Sequence, residues 1–178
     1  MSSLTILFFA LFLTAAIASP LAARDTPPGC HPNSAGSALT LSTMSGSVSW
    51  SAKAVVGNPL SASTSPLKFF FQQNGFPIVD YMVKTVESTN FALELNGGAP
   101  LIGNIDLSGS NVNQKWMVDC TFCTQNNISQ EKNKVVAKRC SITSTTNMLC
   151  VTSLNSPMTL VACTSSGDEL FDITAVPV

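Results

Sequence analysis

Three stretches of this chain repeat one short pattern at nearly equal intervals, and no other feature limits its possible folds as tightly. Phe91-Ala92-Leu93-Glu94-Leu95-Asn96-Gly97-Gly98-Ala99-Pro100-Leu101 aligns with Asn147-Met148-Leu149-Cys150-Val151-Thr152-Ser153-Leu154-Asn155-Ser156-Pro157-Met158, which is one residue longer. Each proline is followed by an aromatic, Trp116 after 16 residues and Phe171 after 14. A weaker first copy begins at Ala38-Leu39-Thr40-Leu41, passes through Val48-Ser49-Trp50 and ends at Leu67-Lys68-Phe69-Phe70-Phe71. The starts at Leu39, Leu93 and Leu149 lie 54 and 56 residues apart.

A unit of that length holds about four short strands and cannot bury its own apolar face. Three units around a common axis can, by closing a six-stranded barrel capped by three hairpins, which also removes free strand edges. The local pattern agrees. Apolar residues come in short pulses such as Leu39-Thr40-Leu41, Ile78 to Val83 and Met158-Thr159-Leu160, and Gly, Pro, Asn or Ser closes most of them. From residue 25 onward 20 Ser and 15 Thr stand against 18 charged residues, a polar surface suited to strands and turns rather than exposed helices. The expectation is an all-β chain, a β-trefoil forming one domain over residues 25–178, with units near 38–90, 91–146 and 147–178. Trp116, Phe171 and Phe70 are expected in its core, and Trp50 packed under the first hairpin.

Residues 4 to 18 carry no charge, but about 15 apolar or small residues fall short of the roughly 20 needed to span a bilayer. With Ala16-Ile17-Ala18 as a small-x-small cleavage signal, residues 1–18 read as a secretory signal peptide. Ser19 to Arg24 resembles the short pro-segments of fungal secreted proteins. The mature chain is expected outside the cell, with no membrane span. Six cysteines there imply three disulfides, for which sequence alone allows 15 pairings. Cys150 and Cys163 flank two short strands around Asn155-Ser156-Pro157, so a hairpin brings their sulfurs together. Cys120 or Cys123 is expected to pair with Cys140, leaving the other for Cys30. The enclosed polar segment carries the sequon Asn127-Ile128-Ser129, a glycosylation candidate, and four of the eight mature basic residues, Lys132, Lys134, Lys138 and Arg139.

Several function classes are disfavoured. Nine basic and ten acidic residues nearly cancel, which leaves no basic footprint for nucleic acid. The single histidine, His31, sits beside Cys30 and Pro32 as a loop residue and supplies no catalytic triad or metal centre. Cys120 and Cys123 form a C-x-x-C, but a secreted chain oxidises such thiols instead of holding zinc. No spacing of the acids suggests a glycosidase pair. No enzyme activity, cofactor or metal is expected.

Asn113-Gln114-Lys115-Trp116 matches the N-Q-x-W signature of ricin B-type lectin repeats. Leu149 to Thr152, Met158 to Cys163 and Glu169 to Ile173 are similar to that family's cysteine-bridged repeat, with Glu for Gln and Phe for Trp. The resemblance covers residues 38 to 175 and implies a non-catalytic carbohydrate-binding module. It implies an acid early in each repeat, an aromatic on the next hairpin, and the amides of the signature. In the second copy these positions fall on Asn96, Asn113 and Gln114, with no aromatic; the third has Thr152, Asp168 and Glu169; the first has Ser42. The expected partner is therefore a glycan. The rival expectation is a trefoil without sugar binding that presents a mobile loop, Ala52 to Pro66 or Thr124 to Lys138, to an extracellular protein, as a protease inhibitor or secreted effector does.

Overall fold

A computed structural model describes residues 29–34, 36–75, 80–125 and 127–178, so the leader, the pro-segment and Ile78-Val79 lie outside the described residues. The strands are β1 (Ala38–Thr43), β2 (Ser49–Ser51), β3 (Ser61–Ser63), β4 (Phe69–Asn74), β5 (Asp80–Thr85), β6 (Phe91–Asn96), β7 (Ala99–Asn104), β8 (Trp116–Asp119), β9 (Phe122–Cys123), β10 (Lys134–Ser144), β11 (Cys150–Thr152), β12 (Thr159–Val161) and β13 (Leu170–Val176). All pairs are antiparallel. They close a ring in the order β1, β4, β5, β8, β10, β13 and back to β1. The hairpins β2/β3, β6/β7 and β11/β12 stand off that ring on β1, β5 and β10. This is the β-trefoil.

The register carries the threefold relation residue by residue. Phe69 faces Thr85, Trp116 faces Ser144 and Phe171 faces Thr43, while across their other edges the same three aromatics face Leu39, Tyr81 and Cys140. All three are fully buried. The first unit therefore contributes Phe69, not Phe70, which is only half-buried, because side chains alternate across a strand and one position's shift changes the face. In the hairpin layer Ser49, Ala92 and Cys150 are equivalent, each facing the strand before it. The next residues, Trp50, Leu93 and Val151, are fully buried. Trp50 meets Phe69 and Phe171 edge-on at 6.1 and 5.3 Å, a favourable ring geometry, and so offers no exposed face to a sugar. Leu39 lies on the first strand of its unit, whereas Leu93 lies on a second strand and Leu149 just before one.

Three disulfides join Cys30 to Cys123, Cys120 to Cys140 and Cys150 to Cys163. Two of them fasten features outside the threefold plan. An N-terminal strap crosses one barrel end, where Cys30 and Cys120 exchange backbone hydrogen bonds of 2.9 and 3.0 Å. Tyr81 Oη donates to Pro32 O at 2.9 Å and Ser34 Oγ to Phe71 O at 3.2 Å. Burial pushes the Tyr81 phenol above its usual range, with Asp119 adding to the effect. His31 belongs to the strap, its Nδ1 3.0 Å from Val118 O and 3.4 Å from Asp119 Oδ1. Tied to the strap through Cys30–Cys123, an insertion between β8 and β10 adds β9 and a short turn, Ile128–Gln130. No helix among the described residues is long and apolar enough to cross a membrane.

Candidate functional site

The second unit holds the candidate site. Its β6/β7 hairpin closes through Gly97 and Gly98, both at positive φ (59° and 85°), a turn that two glycines enter without steric cost. Beyond β7 the chain loops out and returns through a single 3-10 turn, Val112–Gln114, whose start is capped by Asn111 Oδ1 accepting from Asn113 N–H at 3.0 Å. Asp106 organises that loop: its carboxylate accepts from Ser108 Oγ (2.6 Å) and N–H (2.9 Å), from Asn111 N–H (2.7 Å) and from Ser110 Oγ (3.0 Å). The Ser108 hydroxyl and the Asn111 and Ser108 amides hold this carboxyl well below the usual carboxylate range.

Gln114 joins loop and hairpin. Its side chain is fully buried; Oε1 accepts from Asp106 N–H at 2.9 Å, and Nε2 donates to Asn104 O at 2.6 Å and to Glu94 Oε2 at 2.9 Å. The amide that the sequence offers as a ligand contact is thus bonded inside the fold, and it reaches the surface through Glu94. Glu94 is half-buried on β6 and lies over Gly103 of β7. A Cβ at Gly103 would stand 3.0 Å from Glu94 Cδ and 3.1 Å from its Cβ, so the missing side chain makes room for the carboxylate. Among the described residues, Glu94 Oε1 receives no hydrogen bond.

Register identifies Glu94 as the counterpart of Thr152, because Ala92 faces Lys84 as Cys150 faces Thr143. The sequence match assigns that place to Asn96, two residues on. A slip of two preserves the inward and outward alternation, so apolar pattern alone cannot detect it; Ala92 in place of a cysteine removed the marker that could have. Asn96 is exposed at the start of the hairpin turn, on the same face of β6 as Glu94. Asn113 is half-exposed, and its Oδ1 accepts from Thr146 Oγ1 at 2.9 Å. The loop held by Gln114 presents Leu107, 89% exposed, and Val112, 53% exposed.

The other units differ. Glu169 stands where Gln114 stands, two residues before the core aromatic, but it is buried and receives Thr164 N–H and Oγ (both 2.7 Å), Ser165 N–H (2.9 Å) and Ser166 Oγ (3.1 Å). Burial pushes its carboxyl up, and these donors more than offset that, leaving it below its ordinary value. Its partner position, Thr152, is buried. In the first unit the two positions hold Leu67, which is buried, and Ser51.

Both candidate partner loops carry hydrogen bonds among the described residues; in the second, Thr124 N–H donates to Val136 O at 2.8 Å and Asn133 N–H to Ala175 O at 2.7 Å. Of Ala52 to Pro66, Ser61–Ser63 is β3, Gly57 N–H and Asn58 O bond Ile102, and Leu60 N–H bonds Pro100 O. Val55 and Val56 remain as an exposed tip beside a 2.7 Å bond from Lys53 N–H to Asn58 Oδ1. Asn127 is exposed, its Oδ1 accepting from Ser129 N–H (3.1 Å) and Oγ (2.8 Å).

No protein-family model and no curated protein matches this chain. Solved structures do. A mosquitocidal holotoxin is similar over 79% of this chain and 17% of its own, with a TM-score of 0.60 at 13% identity. The BEL β-trefoil in its apo form matches over 85% of this chain and 99% of its own, with a TM-score of 0.56 at 14% identity. The Polyporus squamosus lectin, bound to a human-type influenza-binding epitope, matches over 78% and 49%, with a TM-score of 0.56 at 16% identity. The chain spans about a sixth of the holotoxin and about half of that lectin. At such identities the likeness is one of fold.

Proposed function

We propose that this chain is a secreted, non-catalytic carbohydrate-binding module, with its site in the second unit. The observation that carries the reading is Glu94, a rim carboxylate fixed by Gln114 through one oxygen and open at the other. A carboxylate so held accepts from a sugar hydroxyl without first losing freedom of its own, which is where preorganisation contributes to affinity. Asn96 and Asn113 flank it as further partners for hydroxyls, and Leu107 and Val112 supply apolar surface in place of an aromatic. The β-trefoils it resembles include a lectin with a bound glycan epitope. Three disulfides support an oxidising compartment, and the exposed Asn127 sequon is proposed to carry an N-glycan. A glycan array tests the reading: retention by the wild type and its loss in Glu94→Ala, with the fold unchanged by circular dichroism, is the expected result. A folded wild type retained by no sugar overturns it.

A second reading has one observation in its favour. The Val55-Val56 tip is apolar, exposed and fixed from both sides by hydrogen bonds, as a surface presented to a protein partner would be. Inhibition by the wild type across a protease panel, lost on Val55→Asp, would favour it over sugar binding.

A further inference from the structure

We infer that the barrel end opposite the hairpins holds a second ligand site, for a small amphiphile carrying one carboxylate. A half-open cavity of about 320 Å³ lies where the start of β1 and the end of β13 meet the inserted turn Ile128–Gln130. At about 30 Å³ for each water-sized group, it has room for about ten heavy atoms. That is within the size range of small-molecule sites.

The cavity exists because the insertion folds back under the ring. Ile128 is buried, and Asn133 N–H donates to Ala175 O at 2.7 Å. Lys68 Nζ holds the Pro177 carbonyl at 2.8 Å, fixing the tail that forms another wall. Ala38, Ile128, Ala175 and Pro177 make the lining largely apolar.

Two polar groups in this lining lack partners among the described residues. Ser37 is 9% exposed, and its Oγ is buried with no hydrogen-bond partner among the described residues, an unfavourable state unless something accepts from it. Lys132 lines the same cavity and is paired with no carboxylate among the described residues, while its neighbour Glu131 is engaged by Lys134 at 2.6 Å. Among the described residues, no Asp or Glu side chain lines the cavity. One cation, one orphan donor and apolar walls complement an anionic acceptor joined to an alkyl chain. The site is independent of the sugar reading, since none of its residues belongs to the second unit's hairpin or loop.

The test uses octanoate, octanol and octylamine with the full secreted protein, by titration calorimetry and by intermolecular NOEs. Saturable octanoate binding is expected, about tenfold or more tighter than octanol or octylamine, with NOEs to Ile128 and Ala175. Lys132→Gln should weaken octanoate about tenfold and leave octanol unchanged, and Ser37→Ala should weaken octanoate several-fold. Equal binding of the three probes, octanoate binding unaltered by Lys132→Gln, NOEs confined to other surfaces, or no saturable octanoate binding each overturns the inference. So does co-sedimentation with phosphatidylserine vesicles in the absence of octanoate binding, which would assign Lys132 to a membrane surface.

Discussion

Gln114 and Glu94, twenty residues apart, share a 2.9 Å hydrogen bond in which the buried amide donates to the rim carboxylate. The same amide closes two further bonds, to Asp106 and Asn104, so one side chain sets both the loop and the orientation of the acid.

Removing that amide should therefore cost stability as well as binding. Gln114→Ala leaves Asp106 N–H and Asn104 O short of a partner and is expected to destabilise by about 2–3 kcal/mol, read by urea unfolding. Gln114→Glu puts a second carboxylate against Glu94. It should be the worse variant at neutral pH and recover as pH falls through the carboxyl range, because like charges raise the folded-state pKa and protonation relieves them. A Gln114→Glu deficit that does not change with pH would count against the contact.

Gly103→Ala separates site from fold. The added Cβ meets Glu94 in an extended backbone that alanine adopts freely, so the carboxylate must swing out. About 1 kcal/mol of stability is expected to be lost, with sugar binding weakened about tenfold or more. Array retention equal to that of the wild type would show that the seat of Glu94 does not matter.

Acid should loosen the third unit through Glu169. Its folded pKa lies below its ordinary value, so the folded state binds fewer protons than the unfolded one. The contribution is present above the unfolded value of about 4.3, and is lost as pH falls toward the lowered folded one. Glu169→Gln should be less stable at pH 7, where it meets four donors with one acceptor oxygen, and should show a shallower decline in Tm between about pH 5 and 2. Asp106, shifted in the same direction, keeps part of that slope in the variant.

The disulfides should rank by the chain they enclose. On the loop-entropy relation, a separation of 13 for Cys150–Cys163 corresponds to about 3 kcal/mol, and one of 93 for Cys30–Cys123 to about 4.6 kcal/mol. Paired Cys→Ala variants, compared by denaturant unfolding, should lose more stability at the longer link; the reverse order would locate its effect in native strain or residual unfolded structure.

How much of this was legible depended on whether a residue's role is set by pattern or by register. Trp116 and Phe171 were readable as core because an aromatic recurs at the period of the repeat, and the Cys150–Cys163 bridge because a hairpin forces it. Phe69 was missed for Phe70 inside a run of three aromatics, where nothing local sets the phase. Glu94 was hidden by the even slip that leaves alternation intact. The strap and the cavity were not legible at all, since Pro32 meets Tyr81, and Ser37 shares a wall with Lys132, only once the ring is closed.

Cys120 and Cys140 bracket the insertion and the first half of β10, where Lys138 and Arg139 lie. A protease cutting at that dibasic pair would therefore release nothing: the two pieces would migrate together on a non-reducing gel and part only when thiol is added. For this molecule, a severed backbone and a lost segment are different events.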